Sequence, residues 1–312
     1  ADYVFYLPAD TPSNARRFLD IVHPEIAIFI KYEFWINLLS ELRRRKVRSY
    51  IVSAIFRRNS VFFRPYGAMW RQALETFDTL FVQNVESKRL LSEIGFDNVV
   101  VAGDTRFDRV AQIAAAAQRV ETIERFRGGG RLFVAGSTWG PDEEILLPLV
   151  NANPDVKFVI APHEMDEGRI AHLMRNAKGG AVRYTQCDAA TRFDDVQVLV
   201  LDTMGMLSSV YGSATWAYVG GGFGVGIHDT LEAATFGLPI AFGPNYGKFK
   251  EARDMVSLGC AVSVRTAGEL AAWFAPLCDD EETLRRASRT AKDYTARNQG
   301  ATGIILRSIF NS

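Results

Sequence analysis

Along the first hundred residues, short apolar runs alternate with amphipathic ones. VFYL at 4–7 precedes NARRFLDIV, IAIFI precedes EFWINLLSELRRR, YIVSA precedes a long aromatic stretch, TLFVQ precedes ESKRLLSEIG, and NVVVA closes the series. Unbroken apolar runs suit strands covered on both faces, and the helical patterns between them suit crossovers, so the spacing predicts βαβ units on a parallel sheet. A second series follows the glycines at 128–130: RLFVAGS, KFVIAP, VQVLVLD, TWAYVGG and LPIAFGP. Val4–Leu7 reads as a buried strand, which implies a chain that starts inside a domain. Val110–Val120 reads as an alanine-rich helix, Gly128–Gly130 as the tail of a linker, and the segment from Glu281 as helix almost to the end. The expected division is a partial first domain over 1–125, a second domain over 126–290, and a C-terminal helix over 291–312 packing back on the first.

Two doubly wound layers place their ligands beyond the carboxyl ends of the strands. The fold class expected is α/β, with two Rossmann-like domains facing across a cleft and the first incomplete at its N-terminus. One cleft wall should then carry Ser137, Thr138, Pro162, His163, Asp202–Met206 and the stretch YVGGGFGVGIHDTLEAATFGLPIAFGPN at 218–245.

Composition narrows the partners. The 312 residues hold 36 Lys plus Arg and 36 Asp plus Glu, so no global field favours nucleic acid or an acidic polymer. Three cysteines without CxxC spacing argue against a disulfide framework or a zinc site and fit a reducing compartment. Asp194–Asp195 and Asp279–Asp280 are dipeptides in expected loops rather than a carboxylate cage, so neither metal nor cofactor is expected. No apolar run approaches the roughly 18 residues of a spanning helix. ELRRRKVR at 41–48 and SVFFRPYGAMW at 60–70 together suggest an anionic membrane surface as partner, set against the ordinary reading of a solvated basic face.

The glycine-rich stretch is not a dinucleotide fingerprint. Counted from Gly220 the last glycine of GxGxxG is Val225, and from Gly222 it is Ile227. After the glycines, His228 stands where a phosphate would arrive, Asp229 is a natural N-cap, and Glu232 lies at the capping-box offset. A helix start there suits an anion and a carboxylate one turn on suits ribose hydroxyls, while the same residues would also serve simply as caps. LDTMGML opens another expected helix near Met204, where Met204, Gly205 and Met206 would receive a flat base or merely pack. Ser137 and Thr138 would hold an anion or cap the next helix. In the first half, Glu33 would face substrate or pair with Lys31, and Arg106 would stabilise a leaving phosphate or bridge Asp104 and Asp108.

These motifs resemble those of the 3-deoxy-D-manno-octulosonic acid (Kdo) transferases of lipopolysaccharide assembly, which have the GT-B fold. KYEFWIN resembles the family's ETELWPN, GDTRFD its GNLKFD, DTMGML its DTMGEL, GIHDTLEA its GGHNPLEP, FGPNYGKF its FGPHTFNF, and ARNQGA its YQNQGA, all in order and over nearly the whole chain. The resemblance implies inverting transfer of Kdo from CMP-Kdo to a lipid A precursor without a metal. It implies donor-site roles for Pro162, His163, Met204–Met206 and Asp229, Thr230, Leu231 and Glu232, an acceptor-side carboxylate at Glu33, and transition-state stabilisation by Arg106. Four departures alter charge: Lys31, His163, Met206 and Asp229 stand where the family has glutamate, arginine, glutamate and asparagine. Family members carry about a hundred further residues before this point, with a membrane anchor and an SVGE-like motif holding the general base. The expectation is therefore a fragment of an enzyme of the cytoplasmic face of the inner membrane, inactive or weak alone. Other readings are a GT-B enzyme using UDP-sugars, as transferase or epimerase, and a noncatalytic sugar-nucleotide-binding module.

Overall fold

The computed structural model describes residues 2–310. In chain order its elements are α1 (Pro12–Val22), β1 (Ile26–Ile30), α2 (Ile36–Arg44), β2 (Arg48–Ala54), α3 (Ala68–Leu74), β3 (Thr79–Val82), α4 (Val85–Ser92), β4 (Val99–Val101) and α5 (Thr105–Ala116). Next come α6 (Glu121–Arg127), β5 (Leu132–Thr138), α7 (Gly140–Ala152), β6 (Lys157–Pro162), α8 (Glu167–Asn176), β7 (Ala181–Arg183), β8 (Val198–Val200), α9 (Leu207–Tyr211), β9 (Trp216–Val219), α10 (Leu231–Thr235) and β10 (Ile240–Phe242). The series ends with α11 (Lys250–Leu258), β11 (Ala261–Ser263), α12 (Ala267–Asp279), α13 (Glu281–Arg297) and α14 (Ala301–Phe310). The chain divides into two compact units, one of residues 1–108 with 298–312 and one of 109–297; the outermost positions 1, 311 and 312 lie outside the described residues.

The first unit is built on a four-stranded parallel sheet in the order β1-β2-β3-β4. Phe29, Ile51, Ala54, Leu80 and Val82 bury one face of it beneath Leu39, Leu42, Leu74 and Leu91 of the helices. On the other face Tyr50, Val52 and Phe81 are covered by Ile305 and Ile309 of α14. Asp108 fastens the start of α14 by accepting from the backbone N–H of Gly300 at 2.6 Å and of Thr302 at 2.7 Å. Val4–Leu7 is not a strand: these residues are exposed and have no ladder partner, because no strand adjoins them on which their apolar faces would be buried.

The second unit is a seven-stranded parallel sheet in the order β11-β10-β9-β5-β6-β8-β7. Its strands alternate between two buried faces, which is why they read as continuous apolar runs. Leu132, Val134, Val159, Leu199, Val219 and Phe242 lie in one core, and Phe133, Ala135, Phe158, Ile160, Trp216 and Tyr218 in the other. The division between units falls at 108/109 and 297/298 rather than at 125/126 and 290/291. Ile123 and Phe126 of α6 belong to the second core, with the Phe126 ring 5.5 Å from that of Phe193, so the glycines at 128–130 end a packed helix and are not a linker.

The two segments expected to face a membrane surface meet in the first unit: Arg43, Arg44 and Met69 line one pocket, and Tyr66 and Met69 are exposed. Arg43 pairs with Glu75 at 2.7 Å, Arg44 and Arg45 with Glu41 at 2.6 and 2.8 Å, and Arg45 with Asp20 at 2.7 Å, so three of the cluster's five cations are met by carboxylates. Phe62 is buried, and Phe63 and Trp70 pack against the first unit's core. No described helix is long and apolar enough to cross a membrane.

Candidate functional site

In the second unit, β5, β6 and β8 are neighbours, so their carboxyl ends lie side by side. The chain crosses from one side of β5 to the other between β8 and β9, and this reversal is the place where a doubly wound sheet opens a crevice. A cavity of about 270 Å³ lies there. Ser137, one residue before the end of β5, lies on its rim, Pro162 ends β6 and His163 follows it, Leu201, Thr203, Met204 and Gly205 follow β8, and Leu207, Ser208 and Glu232 come from α9 and α10. Ser137, Pro162, His163, Met204, Gly205 and Glu232 were all expected as ligand residues, and the fold brings these six together.

Ser137 occupies this rim at a cost. Its φ is 53°, and the β5–β6 register shifts between Gly136 and Thr138. A left-handed conformation in a non-glycine residue costs on the order of 1 kcal/mol and persists only where surrounding structure enforces it. Gly205, also at positive φ (83°), turns the chain after β8, where a side chain would be strained.

Glu232 accepts from Ser208 Oγ at 2.8 Å and so is not the capping-box partner expected of it. Asp229 is exposed and accepts from Leu231 N at 2.8 Å, while the N-cap position itself falls to Thr230. Thr230 and Leu231 are buried under the site rather than lining it, and α9 and α10 have only five residues each, so their dipoles are short. The helix expected to open near Met204 opens instead at Leu207, with Met206 at its N-cap and packed against the core. Thr138 is fully buried and donates to Glu143 at 2.9 Å, so it caps nothing; the N-cap of α7 is Trp139. Asp202 is held by Thr185, through its N–H at 2.9 Å and its hydroxyl at 2.6 Å.

His228 stands behind the cavity wall. Its ring lies 4.3 Å from the His163 ring, which lies 4.8 Å from Trp139, and Trp139 Nε1 donates to His228 Nε2 at 3.3 Å. Burial and the neighbouring His163 lower the pKa of His228, with Asp142 opposing. A neutral ring follows, with Nε2 as acceptor. Sequence reasoning missed Trp139, Ser208 and the buried Asp142; only the Asp at the third helical position after Trp139 hinted at the last.

In the first unit, Glu33 is exposed beyond β1 and its carboxylate accepts from Trp35 Nε1 at 2.6 Å, not from Lys31. Arg106 lies beyond β4, with Nε 2.9 Å from Asp104 Oδ2, while Asp108 serves α14. Since β1 and β4 are the two edges of this sheet, three strand spacings of about 4.8 Å separate the strands that carry Glu33 and Arg106. Among the described residues, no group of three or more His, Cys, Asp or Glu is placed to hold a metal ion.

Residues 1–109 match the family described as 3-Deoxy-D-manno-octulosonic-acid transferase (kdotransferase). The 3-deoxy-D-manno-octulosonic acid transferase of Bordetella pertussis is 27% identical over 314 residues, covering 97% of this chain and 73% of that protein. The transferase of the same name from Haemophilus influenzae is 24% identical over 320 residues, with the same coverage of 97% and 73%. By sequence, this chain is a relative of the Kdo transferases. It spans 58% of the Kdo transferase of Rickettsia felis, at 23% identity over 273 residues. Among solved structures, UDP-GlcNAc 2-epimerase from Neisseria meningitidis bound to UDP-GlcNAc matches with a TM-score of 0.67 at 16% identity, over 96% of this chain and 80% of that one. The epimerase likeness fixes the fold, two Rossmann-like units of the GT-B class, and the Kdo-transferase likeness fixes the kinship.

Proposed function

We propose that this chain serves Kdo transfer, with the second unit's cavity holding the CMP part of a CMP-Kdo donor and a lipid A precursor as acceptor. The observation that carries the reading is the convergence of Ser137, Pro162, His163, Met204, Gly205 and Glu232 on one cavity at the strand-order reversal. They come from four separate stretches of sequence, and all but Ser137 are residues to which the Kdo-transferase resemblance gives donor-site roles. Glu232 supplies acceptor oxygens for ribose hydroxyls, Ser137 and the backbone around Gly205 supply donors, and Met204 and Pro162 supply apolar surface for a base.

In an inverting transfer the acceptor hydroxyl oxygen attacks the anomeric carbon as the bond from that carbon to the phosphate oxygen breaks; the electron pair leaves with CMP and the hydroxyl proton passes to a general base. Arg106 is suited to charge stabilisation, and its geometry adds a condition: its guanidinium is already bonded to the buried Asp104, which fixes its direction and offsets part of its charge. Glu33, oriented by Trp35, is the acceptor-side carboxylate of this reading.

A thermal-shift series with CMP, UDP and GDP tests the donor assignment. A ligand at a hundred times its Kd stabilises by about 2.7 kcal/mol, a shift of several degrees. CMP is expected to stabilise the chain most. A larger shift with UDP would replace the donor with a UDP-sugar, and no shift with any of the three would remove the cavity as a nucleotide site.

A further inference from the structure

Asp142 lies in the first turn of α7, fully buried, and its two oxygens accept three hydrogen bonds. Oδ2 receives the backbone N–H of Trp139 and that of Gly221, both at 2.9 Å, and Oδ1 receives the Tyr218 hydroxyl at 2.7 Å. A buried carboxylate is tolerated only when donors replace the lost water, and here they do. Tyr218 is held as a phenol, since burial and then the Asp142 charge push its pKa far above the ordinary value.

Capping α7 would need only the first of these bonds. The other two reach β9 and the loop after it, 76 and 79 residues further along the chain. Gly221, at φ 90°, passes so close to His228 that an added Cβ would lie 2.9 Å from the ring carbon Cδ2. Trp139, whose N–H the same carboxylate oxygen holds, sends its indole N–H to His228 Nε2. One carboxylate thus fixes both neighbours of His228, and His228 stacks on His163, which lines the cavity.

We infer that Asp142 is a positioning residue for the nucleotide cavity, clamping the Trp139 turn to the Gly221 loop and thereby setting the His228 ring and, through their stacking, the His163 ring at the cavity wall. The inference deepens the proposed function and rests on the cavity being the nucleotide site. Neither Trp139 nor Gly221 reaches the ligand in this account; they hold His228, on which the His163 ring at the cavity wall stacks.

The test compares Asp142→Ala, Asp142→Asn and Tyr218→Phe by two readouts: side-chain nitrogen NMR of the histidines without ligand, and calorimetric titration with CMP. Asp142→Ala is expected to release His228 from its single tautomer into a mixture and to weaken CMP binding tenfold or more. Asp142→Asn should restore both to within about threefold, because an amide oxygen accepts the two backbone N–H groups while the Tyr218 hydroxyl turns to accept from the amide. Tyr218→Phe should leave the tautomer as in the wild type. A folded Asp142→Ala protein with wild-type His228 signals overturns the inference. If that variant does not fold, Asp142→Asn decides: the carboxylate charge that raises the His228 pKa is gone, so His228 must titrate lower, and an unchanged titration overturns the placement. Failure of the wild type to bind CMP would instead remove the functional reading, while the ligand-free histidine signals would still decide the role of Asp142.

Discussion

Trp139 and His228, 89 residues apart in sequence, meet through an indole N–H donated to imidazole Nε2 at 3.3 Å. The bond exists only while His228 is neutral, and burial, the adjacent His163 and the indole all disfavour its protonation, with Asp142 as the one opposing charge. The folded pKa is therefore below the ordinary value near 6.5, and the unfolded chain binds the proton more readily. Stability from this group is present in full above about pH 6.5 and is lost as pH falls from there through the folded value. Melting temperatures at pH 7.5 and 5.5 should show a smaller acid loss in His228→Gln than in the wild type; equal losses would contradict the assignment. Glu41, held at about 2 chiefly by its hydrogen bond from Arg44, loses its contribution in a separate window below about 4.5.

Glu232 offers the cavity its acceptor oxygens and is steadied by Ser208. Glu232→Ala should weaken CMP binding roughly tenfold, about 1.4 kcal/mol, and Ser208→Ala by no more than about threefold, in a calorimetric titration. Wild-type affinity in Glu232→Ala would place the ribose elsewhere.

Asp229 keeps the start of α10 through one oxygen that accepts from Leu231 N. An asparagine retains that acceptor and removes a negative charge near an anionic donor, so Asp229→Asn is expected to preserve or tighten CMP binding. A loss beyond threefold would show that the charge has a different role.

Ser137 pays for its place with a left-handed backbone. Ser137→Gly relieves that strain and should hold or raise stability by up to about 1 kcal/mol in denaturant unfolding, while CMP binding falls through the lost hydroxyl. A variant less stable by more than 1 kcal/mol would mean the hydroxyl serves the fold.

The Asp108 carboxylate holds two N–H groups at the start of α14. Asp108→Ala should destabilise the protein by about 1–2 kcal/mol, the loss of an N-terminal cap, and Asp108→Asn by less. Chemical denaturation measures both, and an unchanged midpoint in Asp108→Ala would remove the clamp from the account of α14.

Much of the architecture was legible because a strand buried on both faces writes itself as a continuous apolar run. IAIFI, RLFVAGS, KFVIAP and TWAYVGG each became a parallel strand where the pattern put it. The motif order gave the kinship, and the rule that ligands lie beyond carboxyl ends gave six of the cavity residues. Val4–Leu7 shows the limit of the same reasoning: an apolar run records suitability for a ladder, and only an adjacent strand makes one. The short strands Ala181–Arg183 and Ala261–Ser263 at the sheet edges carry too few residues for a pattern, so pairing alone reveals them. Arg43 and Arg45 read as part of a bare basic cluster because their partners Glu75 and Asp20 lie outside it in sequence. The same reason hid Asp142. Local sequence determines which segments can be strand or helix and which residue types stand at their ends, but three donors 3, 76 and 79 residues away converge on one buried carboxylate only when the tertiary fold brings them together.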